Sequence, residues 1–156
     1  MARRLRVFLD SDIFIRDLRF KRDEHYEINK KLIELVQRKK ILGYTSIYNL
    51  LEICGYLSFN LTLGDLRNLY VGFPGRYNLT IIFPDKLSDY ILKLDIIRIF
   101  GFIEKKMSFS DSLISDTVEI YRDKLNFFIT WNAKHFRDKL SIEVVTPHEF
   151  LEKHKT

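Results

Sequence analysis

The sequence predicts an α/β fold, a three-layer α/β/α sandwich with a central, mainly parallel sheet of four to five short strands. Two observations favour this fold. Short, continuously apolar runs such as RVFL and TIIF recur along the chain, and amphipathic helical segments separate them. Strands that are apolar on both sides have to be covered on both sides, so helices are expected on each face of the sheet. The 156 residues are expected to form one domain, 1–156.

Polar and turn-forming residues separate the predicted elements. Helix-capping residues precede several amphipathic segments: Ser11 or Asp12 for the first helix and Thr45 or Ser46 for a later one. The segment GFPGRYN is expected to be a turn-rich break, because it contains two glycines and a proline. The predicted strands are 5–9, 41–44, 79–83, 126–131 and 142–145, and the predicted helices are 11–18, 23–39, 47–59, 64–72, one or two over 86–106, one from about 110 and a short one after Pro147.

Bulk composition narrows the class of protein. Hydrophobic residues make up 46% and charged residues 30% of the chain, a globular balance without a sign of disorder. The formal charge of +5 suits either solubility or a polyanionic, phosphate-rich partner. The single cysteine, Cys54, allows neither an intramolecular disulfide nor a cysteine zinc site. No apolar run has the length of a signal sequence or a membrane span, so a cytoplasmic location without membrane contact is expected.

Four carboxylates interrupt apolar segments without basic residues close by in the sequence. They are Asp10, Asp12, Glu52 and Asp111. An ionised carboxylate in apolar surroundings is costly unless a cation answers it. Because these acids are far apart in the chain, folding has to bring them together, and a divalent metal ion is the expected counter-charge. Mg²⁺ or Mn²⁺ suits this set, since both are hard ions that prefer carboxylate oxygens.

Helical periodicity predicts which of the acids point inward. Asp111 falls on the apolar stripe of its helix, whereas Asp116 falls on the polar face and is expected in water. For two of these acids, helix capping is the alternative to metal binding: Asp111 fits an S-x-x-D box with Ser108, and Asp12 fits an N-cap. Glu52 is expected to be buried beside a neutralising partner.

The remaining residues give no other catalytic pattern. The histidines lie in polar surroundings without the spacing of zinc ligands and are assigned mainly to the surface: His25, His135, His148 and His154. The sequence has no Gly-rich phosphate loop, no G-x-S-x-G elbow and no cysteine pair. Nucleotide-triphosphate and acyl-transfer chemistry are therefore disfavoured.

These motifs resemble those of PIN-domain proteins, and the chain is similar in size to the VapC-like ribonuclease toxins of toxin–antitoxin pairs. The resemblance rests on VFLDSDIFI at the first strand, Glu52 in the helix after the second strand, SDSLI around Asp111 and FFITWNAKHF near a later strand. Each motif is weak alone, but their order and spacing are fairly specific and cover most of the chain. The resemblance implies a parallel α/β/α sandwich and metal-dependent endonucleolytic cleavage of RNA.

Carried over by position, the resemblance makes Asp10, Glu52 and Asp111 the catalytic, metal-binding acids and places Asn132 where the family has a fourth acid. A neutral Asn132 argues against a second bound ion more than against activity. The resemblance also gives supporting roles to Ser11, Asp12 and Thr130, and basic positions for RNA contact to Arg16, Lys134 and His135. The implied partners are RNA, a cognate antitoxin protein and a second copy of the chain in a homodimer.

Two other functions stay open from the residues alone. In one, Asp10 and Asp12 form the D-x-D of a haloacid-dehalogenase-type phosphatase, with Asp10 as the nucleophile and Asp12 as the acid/base. Ile13 and Phe14 stand where that family prefers small or hydroxyl residues. In the other, the neutral Asn132 marks a non-catalytic RNA-binding or assembly module that keeps the fold.

Overall fold

A parallel sheet of five strands forms the centre of residues 3–155, the part of the chain that this computed structural model describes. Met1, Ala2 and Thr156, at the ends of the predicted domain, lie outside the described residues. The strands are β1 (Arg6–Leu9), β2 (Leu42–Ser46), β3 (Thr80–Ile82), β4 (Lys86–Ser88), β5 (Ile91–Leu92), β6 (Phe127–Ile129) and β7 (Glu143–Val145). The sheet order is β3-β2-β1-β6-β7 with parallel neighbours throughout, and β4 and β5 form a separate antiparallel pair.

Helices cover both faces of the sheet, so the predicted α/β/α sandwich is confirmed. Along the described chain they are α1 (Ser11–Arg19), α2 (Tyr26–Gln37), α3 (Ile47–Leu57), α4 (Leu63–Tyr77), α5 (Ile96–Glu104), α6 (Phe109–Ile120), α7 (Ala133–Phe136) and α8 (Pro147–Lys153), with a 3-10 turn over Arg122–Lys124. One hydrophobic cluster joins α1–α4 and α8 to one face of the sheet, and a second joins α5–α7 to the other face.

Side chains that alternate along the central strand fill the two layers. In β1, Val7 and Leu9 belong to the cluster with α1–α4 and α8, while Phe8 belongs to the cluster with α5–α7. All three are fully buried, because β1 is the middle strand and helices lie on both sides of it. The continuously apolar run around β1 results from this two-sided burial.

The strand order reverses between β1 and β6, and this reversal sets the position of the candidate site. In parallel α/β sheets a crevice opens at such a point, at the carboxyl ends of the strands. Asp10 follows β1, Thr130 follows β6, and Ser46 ends β2. Three polar segments that are distant in sequence therefore meet at one edge of the sheet.

Local capping explains where the helices around this edge begin. Ser46 caps α3 and Ser108 caps α6, in agreement with the sequence. The predicted cap of α1, Ser11 or Asp12, is wrong. Asp10 is the N-cap, and its carboxylate accepts a hydrogen bond from the Ser11 backbone N–H at 2.8 Å.

The predicted break at GFPGRYN is also wrong, since α4 continues through Pro74 to Tyr77. A proline inside a helix removes one backbone hydrogen bond and normally ends it. Here Phe73 and Tyr77 are buried on the same side and both rings pack against Phe14, with centroids 4.9 Å apart in each pair. We attribute the survival of the helix to this packing, and α4 ends at Asn78 in the left-handed conformation.

Residues 86–106 were predicted to form one or two helices, but only their second half is helical. The first half is the β4–β5 hairpin, and α5 follows it. Leu87, Ile91 and Leu94 have helical spacing in the sequence but are all exposed, 70%, 55% and 46%. Their spacing therefore does not reflect a buried helix face.

Asp116 corrects the assignment of the faces of α6. The sequence places Asp116 in water, yet it is only 6% exposed, and Ser112, which has the same helical spacing, is fully buried. The Asp116 carboxylate accepts hydrogen bonds from Nε and Nη2 of Arg98, at 2.7 and 3.3 Å. Because Arg98 belongs to α5, this charge pair joins α5 to α6 and makes the burial of Asp116 tolerable.

Within residues 3–155, no helix is both long enough and apolar enough to cross a membrane.

Gly43 in β2 is required by close packing. A Cβ atom at this position would lie 2.5 Å from Cγ1 of Val36 in α2. We expect Gly43→Ala to lower the free energy of unfolding by about 1–3 kcal/mol through overpacking, measured by urea denaturation.

Gly55→Ala is the matched control, because a Cβ there meets nothing within 4 Å and the position lies in α3. It should raise the free energy of unfolding by about 0.5–1 kcal/mol. Equal stability of the two variants would contradict the close contact between β2 and α2.

Candidate functional site

The carboxyl edge of the sheet carries an acidic cavity of about 380 Å³. Its walls come from the end of β1, from α1, α3 and α6, and from the segment around α7. The lining residues are Asp10, Ser11, Asp12, Ile15, Arg16, Phe20, Glu52, Tyr56, Asp111, Asn132 and Phe136. Folding thus brings Asp10, Glu52 and Asp111 to one cavity, together with Ser11, Asp12, Arg16 and Asn132.

A larger open groove, of about 830 Å³, lies between α2 and α8. Two acids line it, Glu34 and Glu152, and each has a basic partner, Arg38 at 4.0 Å and Lys155 at 3.0 Å. The negative charge there is already balanced. We therefore place the candidate site at the smaller, acidic cavity.

Asp10 is held by donors from three directions. It is 7% exposed, and its carboxylate accepts hydrogen bonds from the Ser11 backbone N–H at 2.8 Å, from Nδ2 of Asn49 at 3.1 Å and from Oγ1 of Thr130 at 2.8 Å. Asn49 is fully buried in α3 and is itself oriented by the capping box with Ser46. The end of β1, the start of α3 and the end of β6 are thereby tied together.

Asp12 fixes the loop after β6. Its Oδ2 atom accepts hydrogen bonds from the backbone N–H groups of Trp131 and Asn132, at 2.9 and 3.3 Å, and lies 3.0 Å from Oγ1 of Thr130. Its Oδ1 atom is buried and has no hydrogen-bond partner among the described residues. An unpaired buried carboxylate oxygen is costly, so this atom calls for a donor or a cation.

The Thr130 hydroxyl shows how much negative charge the cavity concentrates. It lies within hydrogen-bond distance of both Asp10 and Asp12, but its single proton can be donated to one carboxylate only. Burial, followed by the nearby Asp12, raises the pKa of Asp10 well above its ordinary value. Burial likewise raises the pKa of Asp12, to about 6. Burial and the closeness of the two carboxylates thus favour a proton or a cation between them.

Glu52 and Asp111 are positioned by the start of α6. Ser110 donates a hydrogen bond from its hydroxyl to Oε2 of Glu52, which joins α6 to α3. The backbone N–H of Asp111 is capped by Ser108 at 3.1 Å, and its carboxylate lies 3.1 Å from Nε2 of His135, off the line of a hydrogen bond. Only half of the predicted S-x-x-D box is thus present among the described residues: Ser108 caps the Asp111 N–H, while the Asp111 carboxylate lies on the cavity wall.

The basic residues predicted near the cleft differ in position. Arg16 is the one basic side chain that lines the cavity within residues 3–155, and it pairs with Asp23. His135 is half-buried against Asp111 and was wrongly assigned mainly to the surface. Lys134 is exposed and does not line the cavity.

The acidic residues fit a divalent metal ion by their chemistry. They offer hard oxygen donors, one of them unpartnered, in a cavity with a single basic side chain among the described residues. Over the same residues, no three acidic, histidine or cysteine side chains already form a metal-binding cluster. The carboxylates line one cavity, but Glu52 accepts a hydrogen bond from Ser110 and Asp111 lies against His135.

Two positioning residues escaped the sequence reasoning. Asn49 could have been noticed, because Ser46 and Asn49 have the S-x-x-N spacing of a helix start. Ser110 carries no such signal, since its partner Glu52 is 58 residues away. Its role depends on how α6 packs against α3.

The fold is similar to that of chains in known toxin–antitoxin structures. One is VapBC2 from Rickettsia felis, bound to a DNA fragment from its promoter, with a TM-score of 0.61, 18% identity and coverage of 91% of this chain and 98% of that chain. VapBC-1 from nontypeable Haemophilus influenzae has a TM-score of 0.61, 13% identity and coverage of 92% and 99%. FitAcB from Neisseria gonorrhoeae has a TM-score of 0.54, 15% identity and coverage of 91% and 98%.

No protein-family model matches the sequence, and no curated protein is significantly similar to it. At identities of 13–18% the structural likeness establishes the fold alone. The PIN-like fold predicted from the sequence is confirmed at that level.

The raised pKa of Asp12 predicts how stability depends on pH without metal. The folded pKa, about 6, exceeds the ordinary value of 3.8, so the folded chain binds more protons than the unfolded chain between those values. The contribution of Asp12 to the free energy of unfolding therefore falls as the pH rises from about 4 to 6. In EDTA at pH 7.5, Asp12→Asn should raise the thermal midpoint, by about 2–4 °C per kcal/mol relieved.

Asp123→Asn, at an exposed acid in the 3-10 turn, is the control and should leave the midpoint unchanged. Calorimetry at pH 4.5 and 7.5 measures both variants. A thermal midpoint for Asp12→Asn at or below that of the wild type at pH 7.5 would refute the destabilisation that we assign to the buried Asp12 carboxylate.

Proposed function

We propose that the chain is a Mg²⁺- or Mn²⁺-dependent endoribonuclease that acts as the toxin of a toxin–antitoxin pair. The observation that carries the proposal is the convergence of Asp10, Glu52 and Asp111, from three separate elements, on one cavity. The fold shared with chains of toxin–antitoxin complexes agrees with it.

Each acidic residue has a role in this proposal. Asp10, Glu52 and Asp111 would hold the ion, and Asp12 is placed to assist through its unpartnered Oδ1 atom. When bound, the ion lowers the pKa of a water molecule and stabilises charge on the attacked phosphate and the departing oxygen. Asn132 is neutral and lines the same cavity, which favours one tightly held ion over two.

The other residues contribute position and charge. Asn49 and Thr130 keep Asp10 in one orientation through hydrogen bonds to its two oxygens. Hydrolysis forms a bond from water oxygen to phosphorus and breaks the bond to a ribose oxygen, which takes up a proton. Arg16 at the cavity wall supplies positive charge for a phosphate of the RNA backbone.

Asp10→Asn and Asp111→Asn should each lower RNA cleavage by about 100-fold or more, because metal stabilisation contributes several kcal/mol to such reactions. The measurement is cleavage of a labelled single-stranded RNA in Mg²⁺ or Mn²⁺, with circular dichroism to show that each variant is folded.

Asp123→Asn is the control and should cleave like the wild type, because this acid is exposed away from the cavity. Undiminished cleavage by both site variants, in preparations free of host nuclease, would contradict the proposal. RNA binding without cleavage at any metal concentration would select the non-catalytic module, and a phosphoryl group trapped on Asp10 would select the phosphatase.

An antitoxin partner belongs to the proposal, because the similar structures are toxin–antitoxin complexes. A groove of about 400 Å³ between α1, α3 and α4 is lined by leucines, among them Leu18, Leu57 and Leu69. Phe20, directly after α1, and Tyr56, in α3, are 43% and 44% exposed. Both also line the acidic cavity. An apolar segment of a partner seated along this surface would reach the mouth of the cavity.

Homodimerisation is proposed through a different surface, α5 and the β4–β5 hairpin. Ile96, Ile97 and Phe100 of α5 are 78%, 85% and 57% exposed, and Tyr90 in the hairpin turn is 96% exposed. An exposed apolar surface of this kind is typical of a protein interface. A second copy would bury the two surfaces against each other.

Ile97→Glu should therefore convert the purified chain from dimer to monomer at micromolar concentration, measured by light scattering after gel filtration. Leu63→Glu is the control, since Leu63 is 65% exposed but lies on α4. A wild-type chain that is monomeric at these concentrations would rule out this dimer.

A further inference from the structure

The only tryptophan of the chain, Trp131, lies beside the acidic cavity and packs against two basic side chains. The His25 ring stacks on it, with centroids 4.6 Å apart and an interplanar angle of 22°. The Arg16 guanidinium carbon lies 5.0 Å from the centroid of the indole. The proposed hydrolysis uses neither the indole nor the imidazole, so this arrangement requires its own explanation.

Hydrogen bonds through Asn29 fix the orientation of the indole. The indole Nε1 donates a hydrogen bond to Oδ1 of Asn29 at 2.8 Å, and Nδ2 of Asn29 donates to the carbonyl of Ile13 at 2.9 Å. Asn29 is fully buried in α2. The plane of the indole is thereby fixed by two helices, α1 and α2.

One carboxylate orients both basic partners of the indole. Asp23 accepts a hydrogen bond from the His25 backbone N–H at 2.8 Å and forms an ion pair with Arg16. The imidazole therefore approaches Trp131 from an ordered turn, with Glu24 3.4 Å from Nε2 at the edge of the ring. The side chain of His25 is nevertheless 43% exposed.

The stack is continuous with the acidic site. Trp131 donates its backbone N–H to Asp12 at 2.9 Å, and Arg16 lines the acidic cavity. The stacked side chains therefore extend from the acidic cavity to the ordered, partly exposed imidazole ring of His25. Proteins that bind single-stranded RNA present such rings to unpaired bases and place arginines beside them for the phosphates.

We propose that His25, supported by Trp131, is a stacking subsite for an unpaired nucleobase of single-stranded RNA. Arg16 would hold the phosphate between that base and the acidic cavity. The inference rests on the proposed function in taking RNA as the substrate, and it adds a requirement for an unpaired base beside the cleaved bond. Stacking tolerates every base, so this subsite selects single-stranded RNA more than a sequence.

The experiment measures binding without cleavage. Fluorescence anisotropy of a labelled single-stranded RNA octamer, in EDTA and low salt, gives the dissociation constant. His25→Ala should raise this constant by about fivefold or more, the loss expected for one stacked base. RNA binding should also change the emission of the wild-type protein, because Trp131 is its sole tryptophan.

Two variants separate stacking from charge and from general effects on the fold. His25→Phe keeps an aromatic ring without a basic group and should bind like the wild type. His148→Ala removes an exposed histidine of α8 and should have no effect. Double-stranded RNA of the same sequence should bind equally to the wild type and to His25→Ala, since its bases are not free to stack.

The outcomes distinguish this subsite from the nuclease itself. The subsite would be overturned if His25→Ala bound the octamer with wild-type affinity. It would also be overturned if His25→Phe bound as weakly as His25→Ala. Neither result would contradict the proposed nuclease. Weaker binding by His25→Ala in a chain that never cleaves RNA would support the subsite and refute the nuclease. A protein that does not bind the octamer in EDTA overturns the subsite alone, whereas the nuclease is overturned by the absence of cleavage in Mg²⁺ or Mn²⁺.

Discussion

The burial of the Asp10 carboxylate at the end of the central strand is the constraint on which the site depends. A carboxylate that is 7% exposed must be compensated, and Asn49, Thr130 and the Ser11 N–H supply only neutral donors. The adjacent Asp12 increases the electrostatic cost. This arrangement therefore costs the folded chain stability at the end of its central strand.

Topology explains how such distant residues can share one cavity. Because the strand order reverses between β1 and β6, the segments that follow these two strands face the same crevice. Asp12 then closes the crevice from one side by accepting hydrogen bonds from the Trp131 and Asn132 backbone. The contact of Ser110 with Glu52 brings α3 and α6 together on the other side.

The surroundings of the cavity are chemically divided. The Arg16–Trp131–His25 stack is aromatic and basic, which suits nucleic acid. The groove between α1, α3 and α4 is rich in leucine, which suits an apolar segment of a protein. The exposed apolar residues of α5 form a third surface on another helix. Substrate, inhibitor and second subunit therefore have separate places in the proposal.

The sequence by itself determined the layered parallel fold and identified the acids whose burial is costly, because an isolated carboxylate among apolar residues is visible without a structure. Asp10, Glu52 and Asp111 were found in this way. The tertiary structure alone decided the partners. Asp116 was assigned to water from its place on a polar helix face, and only the fold shows that Arg98 of another helix compensates for its burial. The helix through Pro74 depends on packing against Phe14. The stack on Trp131 likewise joins residues more than a hundred positions apart. Sequence shows what burial costs, but only the folded chain shows which group compensates for it.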